Sequence, residues 1–327
     1  MKPVVVIDLF AGAGGFTEGA LAAGAKVAVA VDCWEPAIRL HRHNQPNVLM
    51  VNHELGTLWY DVQMIRKYLR RYPDHHVHLH GSPPCQALSN ASSTDASKGM
   101  KLVLHFLDLV NAIQPDSWSM ENVPPVQKRL PDGIPSLILN AADFGVSQTR
   151  RRCIAGEGWE AIPTHEKAAW RSTLDALPHL GLIGLSPSPS MTRHYQYAEI
   201  TKPYPTITSR TPSQLHIMVR GYSRTRPVKE NGKHTGVNTP RIPPDGCKEL
   251  DEVGFTICAA GTLTLWDLTQ EPVKIRSLTV QETATLQGFP DRFEWNLPGI
   301  KKGEIWAAIG NAVCPPVAEA IIRGIIQ

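Results

Sequence analysis

The chain has 327 residues, 42% hydrophobic and 19% charged, which suits one large globular domain with a smaller second one and excludes disordered or fibrous classes. The formal net charge of +3 is too small to argue for nucleic acid by itself. The six cysteines (Cys33, Cys85, Cys153, Cys247, Cys258, Cys314) form no C-x-x-C pair, so neither a zinc ribbon nor a disulfide framework is expected.

The N-terminal MKPVVVIDLF reads straight into a strand, so no signal peptide is expected, and no apolar run is expected to approach a membrane span. A reducing, cytoplasmic setting is the expectation. Val4–Leu9 is an apolar run of the kind a strand buried on both faces shows. A helix is predicted over Gly14–Ala23, a strand over Lys26–Val31, a helix over Glu35–Asn44 and a short strand over Val48–Val51. Leu58–Arg71 reads as helix, His76–His80 as strand, Leu102–Ala112 as helix, and Asp116–Met120 and Pro135–Asn140 as strands. Such alternation predicts a doubly wound parallel α/β sheet, whose ligands sit at the C-terminal strand ends.

After Gly158 the texture changes to Pro, Ser, Thr and Arg with weak periodicity, as in a loop-rich second domain. Between Met191 and Leu250 stand ten Lys and Arg against four acids. Such a segment either pairs with phosphates or simply faces water. Structure returns near Arg276, with helices predicted over Ser277–Leu286 and Asn311–Ile326.

Four local patterns carry chemistry. Gly12, Gly14 and Gly15 follow the first strand, where glycine lets backbone approach a ligand closely. Counting from Gly12, the sixth place is Thr17, which disfavours a dinucleotide. Asp32 ends the second strand and can accept from ribose hydroxyls, while Cys33 and Trp34 can flank a purine. A lone glycine loop would be only a tight turn; the paired acid favours an adenosyl ligand. Next, Pro83 and Pro84 stiffen the approach to Cys85, a candidate nucleophile. Most free cysteines are small buried hydrophobes, but this one follows a strand end and precedes a small-residue stretch, Ala87–Gly99, suited to a lid. Glu121 ends the fifth strand, within reach of the same pocket or merely capping a helix. Arg150 and Arg152 would share one face if extended. His76, His78 and His80 also alternate on one strand face; a strand packed under helices suits them better than a metal does, and no metal is expected.

The blocks D-L-F-A-G-A-G-G-F (8–16), P-P-C-Q (83–86), E-N-V (121–123), Q-x-R-x-R (148–152), L-Q-G-F-P (286–290) and G-N-A-V (310–313) occur in the order of the DNA (cytosine-5)-methyltransferase family. The chain resembles that family over nearly its whole length. The resemblance implies a class I methyltransferase sheet (Rossmann-like) with a smaller, loop-rich target-recognition domain. Residues 1–157 and 306–327 would form the catalytic part and 158–305 the recognition part, with 158–272 reading the sequence. It implies S-adenosylmethionine as methyl donor, bound by Phe10, Gly12, Gly14, Gly15, Phe16, Asp32, Cys33, Trp34, Pro83, Leu102, Asn311 and Val313. Catalysis falls to Cys85, Glu121, Arg150 and Arg152, and substrate contacts to Pro84, Gln86, Ser89 and Gln148.

The mechanism implied is covalent. Cys85 attacks C6 of a cytosine flipped out of double-stranded DNA, Glu121 holds N3 and the exocyclic amine, and C5 becomes nucleophilic. Two positions depart from the family pattern. The acid that usually ends the third strand and touches adenine is replaced by Asn52-His53-Glu54, leaving Asn52 and Glu54 as candidates. Ser97-Lys98-Gly99 stands where an acid and an arginine usually open the helix. A monomer is expected, in the cytoplasm or nucleoid of a prokaryote or phage host, with a cognate restriction endonuclease as possible partner. The rival readings are the same chemistry on tRNA, a non-catalytic DNA-binding relative, and an NAD enzyme.

Overall fold

In this computed structural model the described residues are 2–84, 96–179, 216–221, 229–230, 233–234, 247–249, 262–267 and 273–327. The larger part is a seven-stranded sheet built from β1 (Val4–Leu9), β2 (Lys26–Asp32), β3 (Met50–Asn52), β4 (His76–Gly81), β5 (Ser117–Asn122), β6 (Ser136–Asn140) and β7 (Arg151–Glu157). Their spatial order is β3-β2-β1-β4-β5-β7-β6. The helices interleaved with them are α1 (Gly15–Ala22), α2 (Glu35–Asn44), α3 (Leu58–Leu69) and α4 (Ala96–Ile113), followed by the short α5 (Thr173–Ala176). β1 to β5 are parallel, as expected, but β7 runs antiparallel to both neighbours, so the sheet is mixed. β7 continues the Q-x-R-x-R block as a strand. It returns from β6 through a tight 3-10 turn (Ala141–Phe144) closed by Gly145 at φ 79°, too short a link for a parallel crossover.

β1 divides two apolar cores by parity. Val4 and Val6 face α1 and α8 (Pro315–Ile326), packing with Phe16, Ala20, Val317, Ile321 and Ile322. Val5, Ile7 and Leu9 face the other way, onto Val62 and Ile65 of α3 and Val103, Phe106 and Leu109 of α4. A third cluster joins Leu278, Phe289, Phe293 and Trp295 to Ala13 and Leu40.

The second sheet is antiparallel, in the order β11-β8-β12-β13, from β8 (His216–Gly221), β11 (Cys247–Glu249), β12 (Thr262–Asp267) and β13 (Val273–Ser277). β9 (Lys229–Glu230) and β10 (Lys233–His234) pair with each other. Helix α6 (Val280–Leu286) starts after Ser277, not at it: Ser277 closes β13, and Thr279 caps the helix reciprocally with Glu282. The helix expected over Asn311–Ile326 begins four residues later, at Pro315, and a further helix that was not expected precedes it. Asn311 ends α7 (Lys302–Asn311), Ala312 is extended, and Pro315 and Pro316 open α8, where their missing N–H groups cost nothing. Contrary to the expectation that no apolar run approaches a membrane span, Lys302–Ile326 is, among the described residues, one stretch long and apolar enough to cross a membrane; it is split by that turn and mostly buried.

Glycines let α1 and α8 touch. A Cβ on Gly15 would lie 2.2 Å from the Val313 carbonyl oxygen, and one on Gly19 2.2 Å from that of Pro315. Both obstacles are backbone and cannot swing aside. Gly19→Ala should therefore destabilise the protein by about 1–3 kcal/mol, the usual range for overpacking. A urea titration should show a lower midpoint with unchanged slope; an unshifted midpoint would contradict this packing.

Candidate active site

The C-terminal ends of β1, β2, β4 and β5 open into one cleft of about 950 Å³. Its glycine-loop end is lined by Phe10, Gly12, Phe16, Asp32, Cys33, Trp34, Pro83, Leu102, Asn311 and Val313. Its other end is lined by Pro84, Glu121, Arg150 and Arg152. Of the predicted site residues that are described, these fourteen share one cavity. Cys85, Gln86 and Ser89 lie outside the described residues, as do the side chains of Ser97, Lys98 and Gly99.

Three predicted residues stand back from the cleft. Gly14 has φ 92°, and a Cβ there would meet Gln45 Oε1 at 2.1 Å; Gly15 is pressed on Val313. Both shape the loop from behind. Gln148 is buried and donates to the Leu286 carbonyl (2.9 Å) and to Gln287 Oε1 (2.6 Å), joining two of the sequence blocks.

The loop itself is held by a carboxylate. Asp32 accepts from the Gly12 N–H through Oδ2 and from the Trp34 N–H through Oδ1, both at 2.8 Å. It remains half-exposed, with lone pairs free for hydroxyl donors on the cleft side. Phe10 takes a left-handed φ of 56°, which turns the chain out of β1 towards Gly12. At the third strand end, Asn52 donates to Glu35 Oε2 (3.3 Å) and does not line the cleft, whereas His53 and Glu54 do. His53 is oriented by Asp61, whose two oxygens meet His53 Nε2 at 2.6 Å and His105 Nε2 at 2.7 Å. Burial works to raise the Asp61 pKa, but bonds from His53, the Gly56 N–H and His105 outweigh it and hold the carboxyl below its usual range.

At the other end, Glu121 Oε1 meets Arg152 Nε at 2.8 Å across β5 and β7, and both side chains are mostly buried. Asn122 donates to the Pro83 carbonyl (3.1 Å) and fixes the backbone just before Cys85 relative to Glu121. Arg150 is buried and donates through Nη2 to the Gly310 and Ala312 carbonyls (2.9 and 3.0 Å), holding the turn between α7 and α8 against the cleft wall.

Asp8, Lys101 and Ser82 are among the cleft residues that had no role in the sequence reading. Asp8 is fully buried; it accepts from the Thr17 hydroxyl at 2.6 Å through Oδ2, while Oδ1 has no hydrogen-bond partner among the described residues. Burial pushes its pKa up to about 7, against the Thr17 bond. A carboxylate inside an otherwise apolar strand was the available signal. Lys101 and Ser82 also line the cleft. The described cysteines are poor nucleophiles: burial pushes Cys153 and Cys314 up to about 11, and burial with the Asp32 and Glu54 carboxylates raises Cys33. His76, His78 and His80 are hydrogen-bonded to serines.

The sequence model of the C-5 cytosine-specific DNA methylase family matches residues 4–130 and 133–327. M.HindV, a Type II methyltransferase of Haemophilus influenzae, is 28% identical over 343 residues, covering 98% of this chain and 96% of its own. M.MthTI of Methanothermobacter thermautotrophicus, also a Type II methyltransferase, is 25% identical over 363 residues, with 98% and 96% covered. Among solved structures, a DNA modification methyltransferase encoded within an E. coli prophage has a TM-score of 0.58 at 22% identity, covering 99% of this chain and 98% of that one. The S. pombe Dnmt2 methyltransferase has a TM-score of 0.53 at 18% identity, covering 97% and 96%. The mixed sheet is thus of the class I methyltransferase kind.

Buried titratable groups on the α1 side of the sheet set a pH signature. Asp8 keeps its proton up to about pH 7 when folded, so it favours the folded state in acid and loses that contribution as pH rises through about 7. Burial lowers His41 to about 4 and His78 to about 3, so they favour the folded state above 6.5 and lose that contribution as pH falls through those values. The trends oppose one another between pH 4 and 6.5. Asp8→Asn removes the first, so stability should rise more steeply with pH across that window, by up to about 1.4 kcal/mol per unit. Chemical denaturation at several pH values in the window measures the slope; equal slopes would place Asp8 outside this account.

Proposed function

The chain belongs to the C-5 cytosine-specific DNA methylase family, and from that membership we propose that it methylates C5 of a cytosine flipped out of a specific duplex DNA sequence. The observation that carries the reading is the shared cavity: an adenosyl-suited carboxylate and a Glu–Arg pair open onto the same space. The donor is S-adenosylmethionine, which supplies an electrophilic methyl group. The cleft residues fit it, because Asp32 offers acceptors for ribose hydroxyls, Cys33 and Trp34 flank a purine, and the orphaned Asp8 Oδ1 faces the same space. Glu54 or His53 takes the place of the third-strand acid, since Asn52 is engaged with Glu35.

Cys85 attacks C6 of the extruded ring and makes C5 an enamine carbon. Glu121, steadied by Arg152, holds N3 and the exocyclic amine so that the ring accepts the electron pair. Pro84 and Gln86 lie on either side of the nucleophile in sequence and contact the base, with Ser89 beyond them. Arg150 and Gln148 act through the turn and block they brace. Loss of the C5 proton restores the aromatic ring and expels the thiolate. Residues 158–305 are assigned to sequence recognition, and 1–157 with 306–327 to catalysis. The Type II names of the relatives suggest a partner endonuclease of the same specificity.

Labelled methyl groups should enter duplex DNA and not tRNA, and bisulfite sequencing of DNA from expressing cells should show one recurring methylated motif. Incorporation into tRNA alone, or into neither, would overturn the assignment. Cys85→Ser should abolish transfer while Cys153→Ser, at a buried thiol that does not line the cleft, keeps it. Glu121→Gln and Arg152→Ala should each lower kcat by about 10²–10³, as loss of a transition-state donor does.

A further inference from the structure

One polar array in the protein takes no part in the chemistry proposed for the cleft. In parallel register, β4 sets His78 beside Ser117 and His80 beside Ser119 of β5. Five hydrogen bonds then run without a break: His76 Nε2 to Ser117 Oγ (2.8 Å), Ser117 Oγ to His78 Nδ1 (2.8 Å), His78 Nε2 to Ser119 Oγ (2.9 Å), Ser119 Oγ to His80 Nδ1 (2.8 Å), and His80 Nε2 to Ser82 Oγ (2.9 Å). One end, Ser82, lines the cleft. The other, His76, is half-exposed at the opposite, N-terminal end of β4, while His78, His80, Ser117 and Ser119 are buried. Phe16 stacks on His80, with centroids 3.4 Å apart and planes within 4°, and fixes the ring in its plane.

Each neutral imidazole has one N–H and one bare nitrogen, and each hydroxyl can give one bond while taking another. All five bonds can therefore point the same way, in either of two senses. Merely filling a core would not require both ring nitrogens of His78 and His80 to be threaded into one line. Burial holds His78 down to about 3 and His80 well below its ordinary value, so these two rings stay neutral at rest.

We propose that this line is a proton wire that carries the proton lost from cytosine C5 out of the cleft to solvent at His76. The proposal rests on the methyl-transfer reading above, in which C5–H is replaced by C5–CH3 and one proton is released per turnover. After methyl transfer the C5–H bond breaks, its electron pair forms the C5–C6 double bond, and the C6–S bond breaks with Cys85 leaving as thiolate. The proton passes to Ser82 Oγ, directly or through ordered water. Ser82 gives its own proton to His80 Nε2, and His80 gives its Nδ1 proton to Ser119. Ser119 protonates His78 Nε2, His78 gives its Nδ1 proton to Ser117, and Ser117 protonates His76 Nε2. His76 releases its Nδ1 proton to water. A ring held in place cannot exchange its two nitrogens by turning, so the wire resets by passing a proton the other way. That happens when no DNA fills the cleft and both ends meet solvent, so the return costs no net free energy.

The test separates two events in a single turnover: entry of a radiocarbon methyl group into duplex DNA, and release to water of tritium placed at cytosine C5. In Ser119→Ala and Ser117→Ala, methyl entry should keep its rate, while tritium release lags by about 10- to 100-fold, at or below the lower end for loss of a general-base path because cleft water substitutes in part. Ser119→Thr, which keeps the hydroxyl, should restore release. Thermal melts establish that each variant is folded, and the two alanine variants interrupt the wire at different points. Tritium release in step with methyl entry in both alanine variants would overturn the wire, as would equal slowing of both events, which marks a purely structural array. A wild-type enzyme that transfers no methyl group would instead overturn the reading on which the wire rests.

Discussion

The two-residue period of β4 and β5 decides most of what this molecule can do. Ser117, Ser119 and Glu121 point to one face of β5, the face that α1 and α8 cover, while Trp118 and Met120 point to the α3–α4 core. On β4, His78 and His80 share the first face and Leu79 the second. A slip of one residue in either strand would put Glu121 into an apolar core, separate it from Arg152, and scatter the histidines among leucines. The placement of the Glu121 carboxylate and the hydrogen-bonded array below it are thus consequences of one register.

A second constraint closes the site from the far end of the chain. Arg150 holds the carbonyls of Gly310 and Ala312, Gln148 and Gln287 tie the L-Q-G-F-P block to the arginine block, and Asp32 ties Gly12 to Trp34. Each of these polar side chains makes at least one bond to backbone or another polar group twenty or more residues away. Together they keep loops from separate strands at one cavity wall, a condition for preorganised electrostatics.

The strand–helix alternation, the glycine turn, Asp32 and the acid at the end of β5 were legible because each is a local pattern with a local cause. β7 was not: its apolar residues Cys153, Ile154 and Ala155 follow three arginines, which read as a basic cluster and not as a strand. The break between α7 and α8 was missed because Gly310-Asn311 reads as a turn before a helix, whereas the proline pair after Cys314 is the true start. The positions of Gly14 and Gly15 behind the loop depend on Gln45 and Val313, and Arg150's partners lie some 160 residues downstream. The histidine alternation was visible, but two of its three serine partners, Ser117 and Ser119, belong to another strand and became apparent only with the pairing of β4 and β5.

The seat of α8 on α1 also governs how the chain is made. Val317, Ile321 and Ile322, which cover Val4, Val6, Phe16 and Ala20, are translated roughly 300 residues after them. At about 5–20 residues per second that interval is on the order of 15–60 s. For that time one side of the nascent sheet is greasy and bare, an obvious client for a holding chaperone.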